Sequence, residues 1–219
     1  VTLNRNGDVA ATGVLYNVCA GSHADTVTLD VIGTILTDAP SGRLYKSLVE
    51  EGLASFVSPL FYPTREPGAF MVLSEVQKDI DPEKVLEKMK EDIESFFNSE
   101  ITETEVNRAK TRLLKQIELS FKNSNQIGIN LTEAAAVGDW RLFFLSRDQL
   151  EQVTVEDVKR VASVYFKSSN RTSGIFHPTK EPNRTIIPET PNVTELVQSY
   201  KGKEAIAEGE DFEATHENI

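Results

Sequence analysis

The chain has 219 residues, 39% of them hydrophobic and 26% charged, which is enough apolar material for one substantial domain or two small ones. An excess of 34 acidic over 23 basic residues gives a net charge of −11, which repels polyanions and argues against a nucleic-acid partner. No apolar run approaches the ~18 residues needed to span a bilayer, no basic-then-apolar leader is visible, and the single Cys19 excludes an internal disulfide.

Residues 1–20 read as extended. In GVLYNVCA, Val14, Tyr16 and Val18 alternate with Leu15, Asn17 and Cys19, the period of a strand, and Cys19 there reads as a small buried apolar residue. Gly7-Asp8 predicts a hairpin turn in the opening segment. A helix follows Gly21-Ser22, with Ser22 and Asp25 in a capping pattern and Leu29, Ile32, Gly33 and Leu36 along one face. After the breaker cluster Ala39-Pro40-Ser41-Gly42, Leu44, Tyr45, Leu48 and Val49 predict a second helix closed by Gly52.

Residues 54–77 read as an antiparallel hairpin, turning at Pro67-Gly68. Asp81-Pro82 opens an amphipathic helix over 81–98, with Val85, Leu86, Met89, Ile93, Phe96 and Phe97 as its stripe. Thr102 and Glu105 form a capping box for the next helix, whose inner face is Val106, Ala109, Leu113, Ile117 and Phe121. A break is expected over 123–128, then helix in LTEAAAV and in DWRLFFLSRDQLEQV. Thr154 and Asp157 open VEDVKRVASVYF, and RTSGIFHPT returns to strand. Grouped helices between strands predict an α+β fold, a mainly antiparallel sheet with a helical layer on one face. Two regions are predicted: an α+β domain over 1–179, and an extended, proline-bearing, acidic connector over 180–219 with a short helix in NVTELVQSYKG.

Chemistry-bearing motifs are scarce. The three histidines, His23, His177 and His216, form no H-x-x-E-H, so no helix presents two imidazoles and a water-activating glutamate on one face. Phosphate-cradling glycine loops and the G-x-S-x-G elbow are missing as well. Lys84, Glu87, Lys88, Glu91 and Glu94 read as a solvated helix face. Asp30 is less ordinary, because it follows Leu29 within an apolar helix, but one isolated acid is not a mechanism.

Two long segments carry a family resemblance. AGSHADTVTLDVIGTILTDAPSGRLYKSLVEEGLASFVSP and NRAKTRLLKQIELSFKNSNQIGINLTEAAAVGDWRLFFLSRDQLEQVTVEDVKRVASVYF resemble the pitrilysin/insulinase zinc peptidases, over about Val9 to Thr179. The resemblance implies the mitochondrial-processing-peptidase/LuxS-like metallohydrolase unit, several copies of which enclose a chamber around peptide substrates. One copy carries H-x-x-E-H. The helix after AGSHAD matches the zinc helix, with Leu29 and Gly33 in place of the two histidines and Ile32 in place of the glutamate. Val49 stands where some non-zinc domains supply an arginine, and Ser55 where they supply a tyrosine.

The resemblance therefore implies a domain with no catalytic, cofactor-binding or metal residues of its own. Zinc is expected in a neighbouring domain of the same protein, and the partners are that domain and a peptide. The tail NRTIIPETPNVTELVQSYKGKEAIAEGEDFEA resembles the connector of four-domain members, which places this chain second, with the zinc domain before Val1. Family analogy suggests a periplasmic setting. The alternative is a separate non-catalytic subunit that binds peptides or presequences for a catalytic partner.

Overall fold

The computed structural model describes residues 1–180, 185–203 and 215–217, and falls into two units, Val1–Pro182 and Asn183–Ile219. Strand alternation decides the sheet of the first unit. Thr12, Val14, Tyr16 and Val18 of β2 (Ala11–Ala20) are buried, and the side chains between them are not. β2 pairs antiparallel with both β4 (Pro67–Val76) and β5 (Arg171–Thr179), and β3 (Ala54–Tyr62) adds to β4 as the expected hairpin, although it turns over residues 63–66 and the expected turn residues Pro67-Gly68 already pair within β4. β1 (Thr2–Asn6) runs parallel to β5, so the order is β1-β5-β2-β4-β3 and the sheet is mixed but mainly antiparallel. The register sets Val14 opposite Val72 and Tyr16 opposite Phe70, building one apolar face.

The predicted hairpin at Gly7-Asp8 does not form, because β5 lies between β1 and β2. Gly7 serves a close approach instead: a Cβ there would lie 3.0 Å from the Phe176 ring of β5.

Helices cover the apolar face. α1 (Asp25–Thr37) is buried on nearly every side, and only Asp30 and Thr34 escape. Its expected Ser22 cap is not made. The Asp25 N–H donates to His23 Nδ1 at 3.1 Å, and the Asp25 carboxylate turns inward. Tyr45–Glu50 winds as a π-helical turn with Leu48 buried, and Gly52, at φ +72°, reverses the chain after it. α2 (Pro82–Glu94) starts at Asp81, whose side chain accepts the Glu83 N–H, and buries Val85, Leu86, Met89 and Ile93. It ends at Glu94 and tightens into a 3₁₀ turn over Phe96–Asn98, where one continuous helix was expected.

α3 (Glu103–Ser120) and α6 (Val155–Tyr165) begin at the two capping boxes read from sequence. α4 (Ser124–Val137) starts on the Asn123 side chain, so the chain breaks only over 121–123 and residues 124–128 of the predicted break are helical; α5 is Leu142–Gln152. Of the predicted inner face of α3, Val106 and Ala109 are buried, Leu113 and Ile117 pack half-buried against the core, and Phe121, the residue after the helix, is partly exposed against the rings of Phe143 and Phe144. Tyr16, Phe70 and Phe166 join sheet to helices, with ring centroids 5.0 Å (Tyr16–Phe166) and 5.3 Å (Phe70–Phe166) apart.

In the second unit, α7 (Val193–Val197) is capped by Asn192, whose side chain accepts the Thr194 N–H, and all its residues are exposed. Most of the acidic end of the predicted connector lies outside the described residues. Among the described residues no helix is long and apolar enough to cross a membrane.

Candidate functional site

α1 is the helix that the family resemblance matches to the zinc helix. Leu29 and Ile32 are 0% exposed and belong to the apolar core. Gly33 faces the hairpin: a Cβ there would lie 3.3 Å from Pro59 and 3.4 Å from the Phe70 ring. These three positions therefore hold hydrophobic packing, and an imidazole at residue 33 would have to displace two side chains. Val49 is half-buried against the core, and Ser55 is exposed, its hydroxyl 3.4 Å from Glu75 Oε2.

The histidines do not converge. His23 lies before α1 with its Nδ1 3.6 Å from Asp25 Oδ2, His177 is on β5 with its Nε2 3.5 Å from Glu83 Oε1, and His216 is exposed near the chain end. Among the described residues no three His, Cys, Asp or Glu side chains gather as a metal-holding group. Cys19 is partly buried with its Sγ 3.9 Å from Thr26 Oγ1.

The open stripe of α1 borders a groove. On one side stands β3, the outer strand of the sheet, with Ser55, Val57 and Pro59; on the other stands α3, with Arg112, Leu113 and Gln116. The enclosed volume is about 560 Å³, within the ~300–1,000 Å³ of typical ligand pockets. Two smaller recesses, of about 400 Å³ and 380 Å³, extend it beneath α4 and α5. Asp30 lines all three.

Asp30 is open to solvent along the groove, yet the protein walls strip away enough surrounding water to push its pKa from 3.8 to about 7. No charged neighbour contributes to that shift. Arg112 is engaged by Asp38, 2.7 Å away, at the C-terminal end of α1.

A second polar centre, not foreseen from the sequence, anchors the start of α1. Buried Asp25 accepts hydrogen bonds from Arg160 Nη2 at 2.8 Å and from Tyr165 OH at 3.1 Å. Both donors come from α6, at the far end of the chain. A charge placed there satisfies the helix N-terminus and locks α1 to α6. Its one visible signal was an acid in the first turn, which by itself names no partner.

The sequence profile described as the peptidase M16 inactive domain matches residues 1–113. The fold is similar to a Bordetella parapertussis structure described as the inactive peptidase domain of a candidate zinc protease, with TM-score 0.74 and 35% identity over 84% of this chain and 99% of that one. A candidate zinc protease from Bordetella pertussis Tohama I gives TM-score 0.73 and 35% identity, over 78% of this chain and 96% of that one. A protease from Helicobacter pylori has the same fold at TM-score 0.74 and 22% identity; the match covers 81% of this chain and 44% of that one. A comparison with curated protein sequences found no match.

Proposed function

Because the chain belongs to the peptidase M16 inactive-domain family, we propose that it is a non-catalytic wall of a peptidase chamber, holding peptide while a zinc-bearing partner domain cleaves it. The observation that carries this reading lies along α1. The positions matched to the metal ligands hold Leu29, Ile32 and Gly33, none of which can grip a metal, and two of them, Leu29 and Gly33, join Asp30 and Thr34 in lining a groove of ligand-pocket size.

The groove runs beside β3, which among the described residues is the outer strand of the sheet, the position at which an extended peptide can add as a further strand. The domain corresponds to 44% of the H. pylori protease, a proportion that leaves room for a second, catalytic portion in a protein of that size.

The test uses the 219-residue chain itself. It is expected to bind labelled unfolded peptides in fluorescence anisotropy, to leave them uncleaved, and to carry no stoichiometric zinc by metal analysis. Chelator-sensitive hydrolysis by the purified chain would overturn the reading, and so would a complete lack of peptide binding.

A further inference from the structure

Asp30 is the one acid of α1 that nothing in the fold uses. Of the thirteen residues of α1, all but Asp30 and Thr34 are buried. The Asp30 backbone carbonyl accepts the Thr34 hydroxyl at 3.0 Å, but its carboxylate makes no hydrogen bond or ion pair among the described residues. It stands where the three recesses meet, among the neutral Gln116, Asn130 and Ser146, with Glu133 a second acid on the same lining.

The charged groups that line these recesses are few. Asp38 and Arg112 neutralise each other, Glu133 comes from α4, and neither β3 nor α5 supplies a charge. A carboxylate in such a place has no cationic partner, and an ammonium or guanidinium is the complement that also fills its hydrogen-bonding capacity.

We infer that Asp30 is the anchor for a lysine or arginine side chain of the peptide lying in the groove. The inference rests on the peptide-holding reading above and adds the side-chain class. The occupant is argued from charge complementarity: an unneutralised acid at the floor of the groove, in a chain of net charge −11 that draws basic segments toward it. The groove's volume of about 560 Å³ admits a long side chain with some of its backbone. The raised pKa of Asp30 adds that this preference grows as pH climbs through neutrality, when the carboxylate ionises.

The experiment compares an extended fluorescein-labelled peptide carrying one central lysine with its norleucine counterpart, on the wild-type chain and on Asp30→Asn. On the alkaline side of neutrality the wild type should bind the lysine peptide about tenfold more tightly, the equivalent of one good ion pair. That ratio should collapse toward one in Asp30→Asn and in acid, and Asp30→Glu should restore part of it. Circular dichroism melting verifies that each variant is folded; should Asp30→Asn not fold, the wild-type ratio and its pH dependence still decide. Equal binding of the two peptides by wild type at every pH overturns the anchor while leaving the peptide-holding reading intact. Failure to bind any peptide removes both.

Discussion

Glu105 should behave as a pH-dependent clasp between α3 and the segment before the π-helical turn. Its carboxylate accepts from Arg43 Nε at 2.9 Å and Nη2 at 3.0 Å, and from the Thr102 N–H at 2.9 Å. Arg43 also donates to Ser99 Oγ and the Glu100 carbonyl and lies over the Phe96 ring, 5.0 Å from its centroid. Partial burial alone would raise the Glu105 pKa. The Arg43 and Thr102 hydrogen bonds outweigh it and bring the value from 4.5 down to about 2.

A depressed carboxylate stabilises the fold above its unfolded pKa of 4.5, and that contribution is lost as pH falls toward 2. At ~1.4 kcal/mol per unit the ceiling is about 3 kcal/mol, and solvent screening of a partly exposed pair reduces it to about 1.5 kcal/mol. Urea unfolding followed by circular dichroism should therefore show Glu105→Gln less stable than wild type by about 1.5 kcal/mol near neutrality, and by less than half of that near pH 3. A difference of the same size at both pH values would refute the assignment of the loss to the ionised clasp.

Two other outcomes follow from α1. Installing the missing motif as Leu29→His, Ile32→Glu and Gly33→His should not create a zinc site. Each of the first two exchanges removes a fully buried side chain, costing ~2–5 kcal/mol before the penalty for buried polar groups is added. Metal analysis and thermal melting should show a destabilised chain without zinc, and a folded, zinc-loaded variant would contradict the packing argument. The second outcome concerns Asp30, whose pKa is raised from 3.8 to about 7, so the native state holds its proton more tightly than the unfolded chain. Stability from this group is fully present below 3.8 and is lost as pH rises to about 7. Asp30→Asn should then melt higher than wild type in mild alkali and nearly level with it in acid; a wild type that is the more stable of the two in alkali would negate the desolvation argument.

Much of the local architecture was legible because its causes are local. The Thr102/Glu105 and Thr154/Asp157 boxes and the Asp81-Pro82 start bring their partners within three residues, so spacing alone identifies them. The alternation of Val14, Tyr16 and Val18 named the buried face of β2 for the same reason. The absence of an H-x-x-E-H motif was also readable, and so was the inability of Leu29, Ile32 and Gly33 to bind zinc through their side chains.

What the sequence could not supply were pairings between distant residues. β1 finds its partner at the other end of the domain, Thr2 opposite Ile175, and a local turn signal at Gly7 pointed elsewhere. The cap expected from Ser22 gave way to Asp25 facing Arg160 and Tyr165 across more than a hundred residues. Asp30 was visible as an acid in an apolar helix, but its setting was not. Three recesses meet at it only after β3, α3, α4 and α5 have packed around α1. The sequence alone determined the composition of the chain, its elements and its lack of a zinc motif. The tertiary structure decided which charges are neutralised and which are left facing a groove, because desolvation and ion pairing depend on what surrounds a group in space, and the chain neighbours of Asp30 say nothing of that.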